Sequence, residues 1–366
     1  MYQGAFANKV VWLSGHTGFK GAWLAEWLLG LGANVHGFAL PPPTTPSLFD
    51  QLGLSQRMHS EIGDVRDLAA VDRSIQHAQP DYVFHLAAQP LVRESYLSPV
   101  ETYATNVQGT VHVLDALRRL DHRCAAVFVT TDKCYENREW FYGYREEDEL
   151  GGHDPYSSSK AAAEIAIQSY RRSFFKNKTI RVASARAGNV IGGGDWAADR
   201  IVPDCIRSLQ QNRTISLRNP SSTRPWQHVL EPLSGYLQLA TVLAGYGDPA
   251  LSKYEPCSAF NFGPGPEANR PVVDLVEELL KHWPGRWEDV RNPNAVHEAG
   301  LLQLCVDKAR HELRWSPVWR FEEAIAQTAI WYREINHSVD RAGELTRSQI
   351  VHYCREAGIS RLPWAA

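Results

Sequence analysis

Close cysteine pairs are absent. Cys124, Cys134, Cys205, Cys257, Cys305 and Cys354 stand far apart, with no C-x-x-C spacing. Neither a zinc site nor a disulfide framework is indicated, and free thiols in a reducing compartment are expected. His153 and the other histidines form no ligand cluster, so no metal is expected. An excess of one charge is also missing. The 38 Lys+Arg and 41 Asp+Glu leave a net charge of -3, which offers no general basic field to a nucleic acid. No apolar run approaches the roughly 20 residues of a membrane span. The polar start, Met1 to Asn8, followed by an apolar run already broken at Gly15, is not a secretory signal. The expected location is the cytoplasm. Internal repeats and low-complexity tails are lacking too.

What remains is ordinary globular material, 44% hydrophobic and 22% charged over 366 residues, enough for one large domain or two smaller ones. Lys9 to Ser14 reads as a short apolar strand, and Gly18 to Leu29 as a helix burying Trp23, Leu24, Trp27 and Leu28. Asn34 to Leu40, Tyr82 to Ala87, Ala125 to Thr131 and Ile180 to Arg186 read as further strands. Helical patterns lie between them, notably Val100 to Leu120 and Ser157 to Phe174. This alternation predicts an α/β, Rossmann-type doubly wound parallel sheet, whose strands run almost continuously apolar because helices cover both faces. After Asn189 the texture changes, with Gly192 to Gly194, a turn-rich Pro220 to Pro225 and a Gly/Pro cluster from Gly263 to Pro271. Residues 1–188 and 227–263, the latter a helix and the strand Ala259 to Phe262, are assigned to the dinucleotide-binding domain. Residues 189–226 and 264–366 are assigned to a smaller, interleaved substrate-binding region.

Ser14-Gly15-His16-Thr17-Gly18-Phe19-Lys20-Gly21 follows the first strand and opens the first helix. Glycines there permit a tight turn and let backbone N–H groups approach a pyrophosphate at the positive helix end. A structural strand-to-helix turn is the bland reading of the same residues. The acid that holds an adenosine ribose is expected about 20 residues on, yet Ala39, Leu40 and Pro41 stand there. His16 and Lys20 are candidates to meet a 2′-phosphate, so poor discrimination between NAD and NADP is expected.

Tyr156 and Lys160 form Y-x-x-x-K at a helix start, a spacing that puts both on one face. The lysine charge, with a cationic nicotinamide, lowers the phenol pKa, and the phenol can then take a proton from an alcohol as hydride leaves. Ligands bind beyond the carboxyl ends of strands in open α/β sheets, which puts Thr131 within reach of the same alcohol. Asp132 and Lys133 add a titratable pair that simple alcohol oxidation does not require.

Together, Gly15 to Gly21, His85 to Gln89, Asn106 to Thr110, the Thr131–Asp132 pair and Tyr156/Lys160 resemble the extended short-chain dehydrogenases that act on sugar nucleotides, over nearly the whole chain from Lys9 to about Trp331. The blocks G-H-T-G-F-K-G, T-T-D-K, Ala187 to Trp196 and Thr223 to Pro232 are similar to the branch that dehydrates CDP-glucose. The resemblance implies NAD held by Gly15, His16, Thr17, Gly18, Phe19, Lys20 and Gly21. Asp64 and Val65 would flank the adenine, Leu86, Ala87, Ala88 and Gln89 would line the cofactor, and Asn106 would support it beside Tyr156 and Lys160. Asn189 and Arg224, with Arg200 as a weaker candidate, would hold the nucleotide diphosphate of CDP-glucose, since the guanidinium fork matches phosphate oxygens. Thr131, Asp132, Lys133, Tyr156 and Lys160 would be catalytic. The helices Val100 to Leu120 and Ser157 to Phe174 would pair subunits into a dimer or a dimer of dimers. One departure stands out: Lys133 replaces the glutamate that takes the C5 proton in similar dTDP-glucose enzymes. Two other functions stay open: a nucleotide-sugar 4-epimerase, which needs no Asp132/Lys133 doublet, and a non-catalytic Rossmann nucleotide sensor, which has no use for Tyr156/Lys160.

Overall fold

The computed structural model describes every residue except 177, 247–254 and 292–300. From the N-terminus run β1 (Val10–Ser14), α1 (Phe19–Gly30), β2 (Asn34–Ala39), the one-turn α2 (Leu48–Gln51), β3 (His59–Ile62), α3 (Leu68–Ala78) and β4 (Tyr82–His85). Then come α4 (Val92–Leu97), α5 (Pro99–Tyr103), α6 (Gly109–Leu117), β5 (Cys124–Val129), α7 (Pro155–Tyr170), β6 (Ile180–Ala187) and the short β7 (Val190–Ile191). The second half holds α8 (Ile201–Gln210), β8 (Ile215–Leu217), β9 (Thr223–Pro225), β10 (Gln227–His228), α9 (Leu230–Leu243) and β11 (Ala259–Phe262). It ends with β12 (Asn269–Pro271), α10 (Val272–His282), β13 (Trp287–Asp289), α11 (Asp307–Glu312), α12 (Phe321–His337) and α13 (Ala342–Ile359).

Seven strands form one sheet in the order β11-β6-β5-β4-β1-β2-β3, and every pairing in it is parallel. Side chains alternate between its faces. Val11 and Leu13 of β1, Ala125, Val127 and Val129 of β5, and Ala183, Ala185 and Ala187 of β6 enter the core on one face, with α1 and α9. Trp12, Ala126, Phe128 and Val182 enter the core on the other, under α3 and α6. Both faces are therefore dry, which explains why these strands are apolar without interruption. The chain reverses its direction of progress across the sheet between β1 and β4, where such sheets open a crevice at their carboxyl ends.

The expected doubly wound sheet is present, with one added strand and one that ends early. β3 lies at the sheet edge with a polar sequence, His-Ser-Glu-Ile, and none of its residues is buried. The expected strand through Thr131 stops at Val129, and Asp132 to Cys134 form a single 3-10 turn capped by the Thr131 hydroxyl. Asp132 and Lys133 thus do not alternate across a strand. The Val100 to Leu120 helix is α5 joined to α6 through a π-wound stretch, Ala104 to Gln108, and α7 likewise runs into a π stretch, Arg171 to Phe175.

β11 adds to the central sheet beside β6, and α9 before it is buried along almost its whole length. Glu231 at the start of α9 lies fully buried. It accepts from the Val318 and Trp319 amides at 2.9 and 2.7 Å and from the Tyr353 hydroxyl at 2.7 Å, tying the sheet layer to the C-terminal helices. Tyr353 stacks on Trp364, which stacks in turn on Tyr2. Among the described residues no helix is long and apolar enough to cross a membrane. All six cysteines are unpaired.

Candidate active site

The loop after β1 turns tightly enough to demand glycine. Gly15 has φ +77°, and a Cβ there would stand 2.8 Å from the Ala87 amide nitrogen; one on Gly21 would stand 2.0 Å from the Gly15 carbonyl oxygen. Gly18 caps α1 without any side chain satisfying the first-turn N–H groups, and a Cβ on it would meet only the Gly15 carbonyl, at 3.4 Å. Open space, uncapped N–H groups and the positive helix end together make a cradle suited to a pyrophosphate. Ser14 fixes its floor. The Ser14 hydroxyl accepts from the Leu86 and Ala87 amides at 3.1 Å each and, with its proton left to give, donates to His85 Nδ1 at 2.7 Å.

Two of the loop's side chains do not do what their position suggests. The His16 ring is fully buried, pairs with the Ser60 hydroxyl at 2.7 Å and packs edge-on against Phe49. Burial lowers its pKa to about 4, so it is neutral and supplies no cation to a 2′-phosphate. Lys20 faces Tyr236, Lys160 and Asp132. Its Nζ stands 5.8 Å from the Tyr236 ring centre, and burial, followed by the charges of Arg200 and Lys160, lowers its pKa to about 8. Asp64 is engaged by Arg66 at 2.5 Å, whose hydrogen bonds hold its carboxyl below the usual range. Val65 is buried, and a Cβ on Gly109 of α6 would fall 2.8 Å from its side chain.

Beyond β5, Thr131, Asp132, Tyr156 and Lys160 come together, all buried. Asp154 caps α7 by accepting from the Ser157 amide, which sets Tyr156 in the first turn and Lys160 one turn on. The Tyr156 phenol hydrogen-bonds to Thr131; burial raises its pKa to about 12, while that bond and the Arg200 charge work the other way. Thr131 donates to the Asp132 carboxylate at 3.0 Å. Burial brings Lys160 down to about 8, partly offset by Glu164, and its Nζ lies 3.4 Å from the Val129 carbonyl. Lys133 is half-buried, and its side chain makes no hydrogen bond or ion pair among the described residues.

Supporting groups surround this cluster. Asn106, carried on the π-wound stretch, accepts from the Gln89 amide at 2.9 Å and donates to the Gln89 carbonyl at 3.1 Å and the Ser159 hydroxyl at 2.9 Å. Such stretches often mark functional positions; here one aims a single amide at both the β4 loop and α7. Below Lys160, Glu164 accepts from Thr130 at 2.5 Å, Ser184 at 2.8 Å and Arg186 at 2.9 Å. Burial alone would raise the Glu164 carboxyl, but Arg186 and these hydroxyls outweigh it and hold it below its usual range.

On the far side of the cluster a pocket opens past β6 and β11, lined by Gly188, Pro225, Gln227, Gly263, Asn269 and Arg310 among others. A Cβ on Gly188 would lie 2.7 Å from the Asp132 carboxylate and 3.4 Å from Pro225, so Asp132 and the pocket share a wall. Arg200 is paired with Asp195 at 2.9 Å and is close enough to influence Tyr156. Arg224 sits on β9 with Nη1 on the Thr223 carbonyl at 2.7 Å, and Asn189 is exposed between β6 and β7. The structure thus puts Arg200 nearer Tyr156 than the sequence implied. Gln227, Tyr236 and Asn269 went unnoticed in the sequence. Gln227 had one signal, a polar Gln227-His228 pair set between Trp226 and the apolar Val229-Leu230.

The family model for GDP-mannose 4,6-dehydratase matches residues 13–242. The chain belongs to that family. Among its members' relatives, the CDP-glucose 4,6-dehydratase of Salmonella typhimurium is 46% identical over 333 residues, covering 89% of this chain and 91% of that protein. The CDP-paratose 2-epimerase of Salmonella typhi is 30% identical, over 83% of this chain and 97% of that one. Of solved structures, the dTDP-glucose 4,6-dehydratase of Bacillus anthracis in complex with NAD superposes with a TM-score of 0.73 at 20% identity, over 90% of this chain and 97% of that one. The UDP-glucose 4-epimerase of Thermotoga maritima with UDP-glucose gives 0.74 at 20% identity, over 89% and 99%. At such identities these two likenesses concern the fold alone.

Proposed function

We propose that this protein is an NAD-dependent hydro-lyase that converts CDP-glucose to CDP-4-keto-6-deoxyglucose. The observation that carries the reading is the 46% identity to a CDP-glucose 4,6-dehydratase over 89% of the chain. The buried Thr131–Asp132–Tyr156–Lys160 cluster supplies matching chemistry. Residues 1–188 and 227–263 would hold the dinucleotide, and 189–226 and 264–366 the nucleotide sugar. The glycine cradle, Leu86 to Gln89 and Asn106 fit a dinucleotide, with Asp64 and Val65 toward its adenine end. When bound, the nicotinamide accepts hydride from C4 of the sugar and returns it to C6.

The chain's own groups move the protons. Tyr156, hydrogen-bonded by Thr131 and flanked by Lys160 and Arg200, takes the proton of the C4 hydroxyl. Its phenol, pushed up to about 12, is a strong enough base once ionised, and a neighbouring cation is what ionises it. The C4 ketone acidifies C5–H. Lys133, as the neutral amine, removes that proton while Asp132, in its protonated form, gives its proton to the C6 hydroxyl, which leaves as water. Lys133 then returns its proton to C5 as hydride reaches C6, and the proton held by Tyr156 passes back through solvent to Asp132. Asn189, Arg200 and Arg224 hold the diphosphate. With His16 neutral and Lys20 facing the catalytic groups, the two cations expected to accept a 2′-phosphate are withdrawn, and NAD is the cofactor assigned. We further assign a homodimer through α5–α6 and α7, and a cytoplasmic location.

Incubation with CDP-glucose and NAD, followed by proton NMR, tests the reading. Appearance of the 4-keto-6-deoxy product supports it. CDP-galactose would make the protein an epimerase, and binding without any product a sensor.

A further inference from the structure

The pocket beside Asp132 contains a polar side chain that has no partner among the described residues. Gln227 is 2% exposed, lines the pocket, and among those residues neither its Oε1 nor its Nε2 is hydrogen-bonded. Buried amides are seldom left so, because each unpaired group has given up its water hydrogen bonds without replacement. Asn269, across the same pocket, has its Oδ1 buried and unpaired as well. Backbone geometry holds Gln227 in place. It begins β10, which pairs with β7 in the register Gln227 to Val190, and it lines the pocket together with Gly188 and Pro225; a Cβ on Gly188 would meet the Asp132 carboxylate.

We propose that Gln227 holds the hexose of the substrate, its amide donating to and accepting from the sugar's secondary hydroxyls. The chemistry of the missing partner selects this ligand. An amide needs an acceptor for its N–H and a donor for its oxygen. Phosphate oxygens accept only, and would leave Oε1 facing negative charge. Hydroxyls do both. A nucleobase edge also does both, but the wall that Gln227 shares with Gly188 and Pro225 touches the carboxylate assigned to the C6 hydroxyl, so the sugar ring has to lie there. The inference rests on the proposed dehydratase reading and goes beyond it by naming a residue that selects the glycosyl part.

The test combines a variant with two analogues. In Gln227→Leu, of similar size and apolar, the dissociation constant for CDP-glucose should rise roughly tenfold to a hundredfold, the cost of leaving a sugar hydroxyl buried and unpaired. That for CDP alone should stay within about twofold, and the melting temperature should not fall, since an unpaired amide has been removed. Equal affinity for CDP-glucose in variant and wild type overturns the proposal. An equal loss for CDP overturns it too, and assigns the amide to the nucleotide. Should the variant fail to fold, the wild type decides. CDP-2-deoxyglucose or CDP-3-deoxyglucose must bind at least about tenfold more weakly than CDP-glucose, and equal binding of all three overturns the proposal. A wild type that binds CDP-glucose but makes no 4-keto-6-deoxy product refutes the dehydratase reading instead, a pattern that a flat response to the deoxy analogues cannot produce.

Discussion

Tyr156 is buried beside Asp132, and burial and the carboxylate both favour the protonated phenol. Its reactivity therefore depends on the cations around it and on the hydroxyl it contacts. Tyr156→Phe keeps the ring and its packing and removes the acid–base group. Turnover should fall by about 10²–10⁴, while cofactor and CDP-glucose affinities, read by calorimetry, stay within a few-fold. Near-normal turnover would remove Tyr156 from the mechanism. Lys133 carries a sharper risk, because Lys20 lies nearer to Asp132 than the sequence implied. If Lys133 is the C5 base, Lys133→Met should block elimination but not C4 oxidation, so adding CDP-glucose should raise the near-ultraviolet absorbance of reduced nicotinamide. Failure to reduce any nicotinamide would place Lys133 in binding. Normal turnover would pass the role to another group, Lys20 first. The residues of this cluster were legible in the sequence because their chemistry requires fixed spacings, Y-x-x-x-K along a helix and glycines in a loop. The orientations of His16 and Lys20 were not. Adjacent loop side chains diverge according to what they pack on, and Ser60, Phe49 and Tyr236 are distant in sequence.

At the scale of elements, α9 carries an acid where an apolar residue would be ordinary. Burial raises Glu231 to about 7 against the opposing pull of its three donors. A carboxyl whose folded pKa is raised binds its proton more tightly when folded. Its contribution is complete below the unfolded value near 4.5 and is lost as pH rises through about 7. His16, His85 and His228, each lowered by burial, act in the opposite sense below their unfolded value. Glu231→Gln leaves those histidines in place and cannot ionise. In urea unfolding, the stability of wild type relative to Glu231→Gln should therefore fall by up to about 3 kcal/mol between pH ~4.5 and pH ~8; a flat difference would show that Glu231 titrates normally. The central strands were readable as apolar runs because both their faces are covered. β3 was not, since an edge strand with no buried residue carries neither an apolar run nor clean alternation. The two π-wound stretches were also invisible, because one extra residue per turn leaves helical composition unchanged.

For the whole molecule, α4, α5 and α7 pack side by side and leave Leu97, Val100 and Ile165 exposed at 79%, 77% and 58%. Apolar residues grouped in this way usually mark an interface. The double variant Leu97→Asp/Ile165→Asp should shift the protein from dimer to monomer in sedimentation velocity, with its secondary structure retained. A wild type that sediments as a monomer would refute the assigned homodimer. The strand order, with β4 and β5 between the glycine loop above β1 and Gly188 above β6, also acts as a ruler. Parallel neighbours are spaced about 4.8 Å apart, so those two landmarks are roughly 14 Å apart at the sheet edge. Two long ligands laid down from opposite ends can overlap only within that span, where Thr131 stands beyond β5, one strand from β6 and two from β1. Lengthening or shortening either ligand moves its far end, while the point where the two meet is set by backbone spacing that no side-chain substitution can alter.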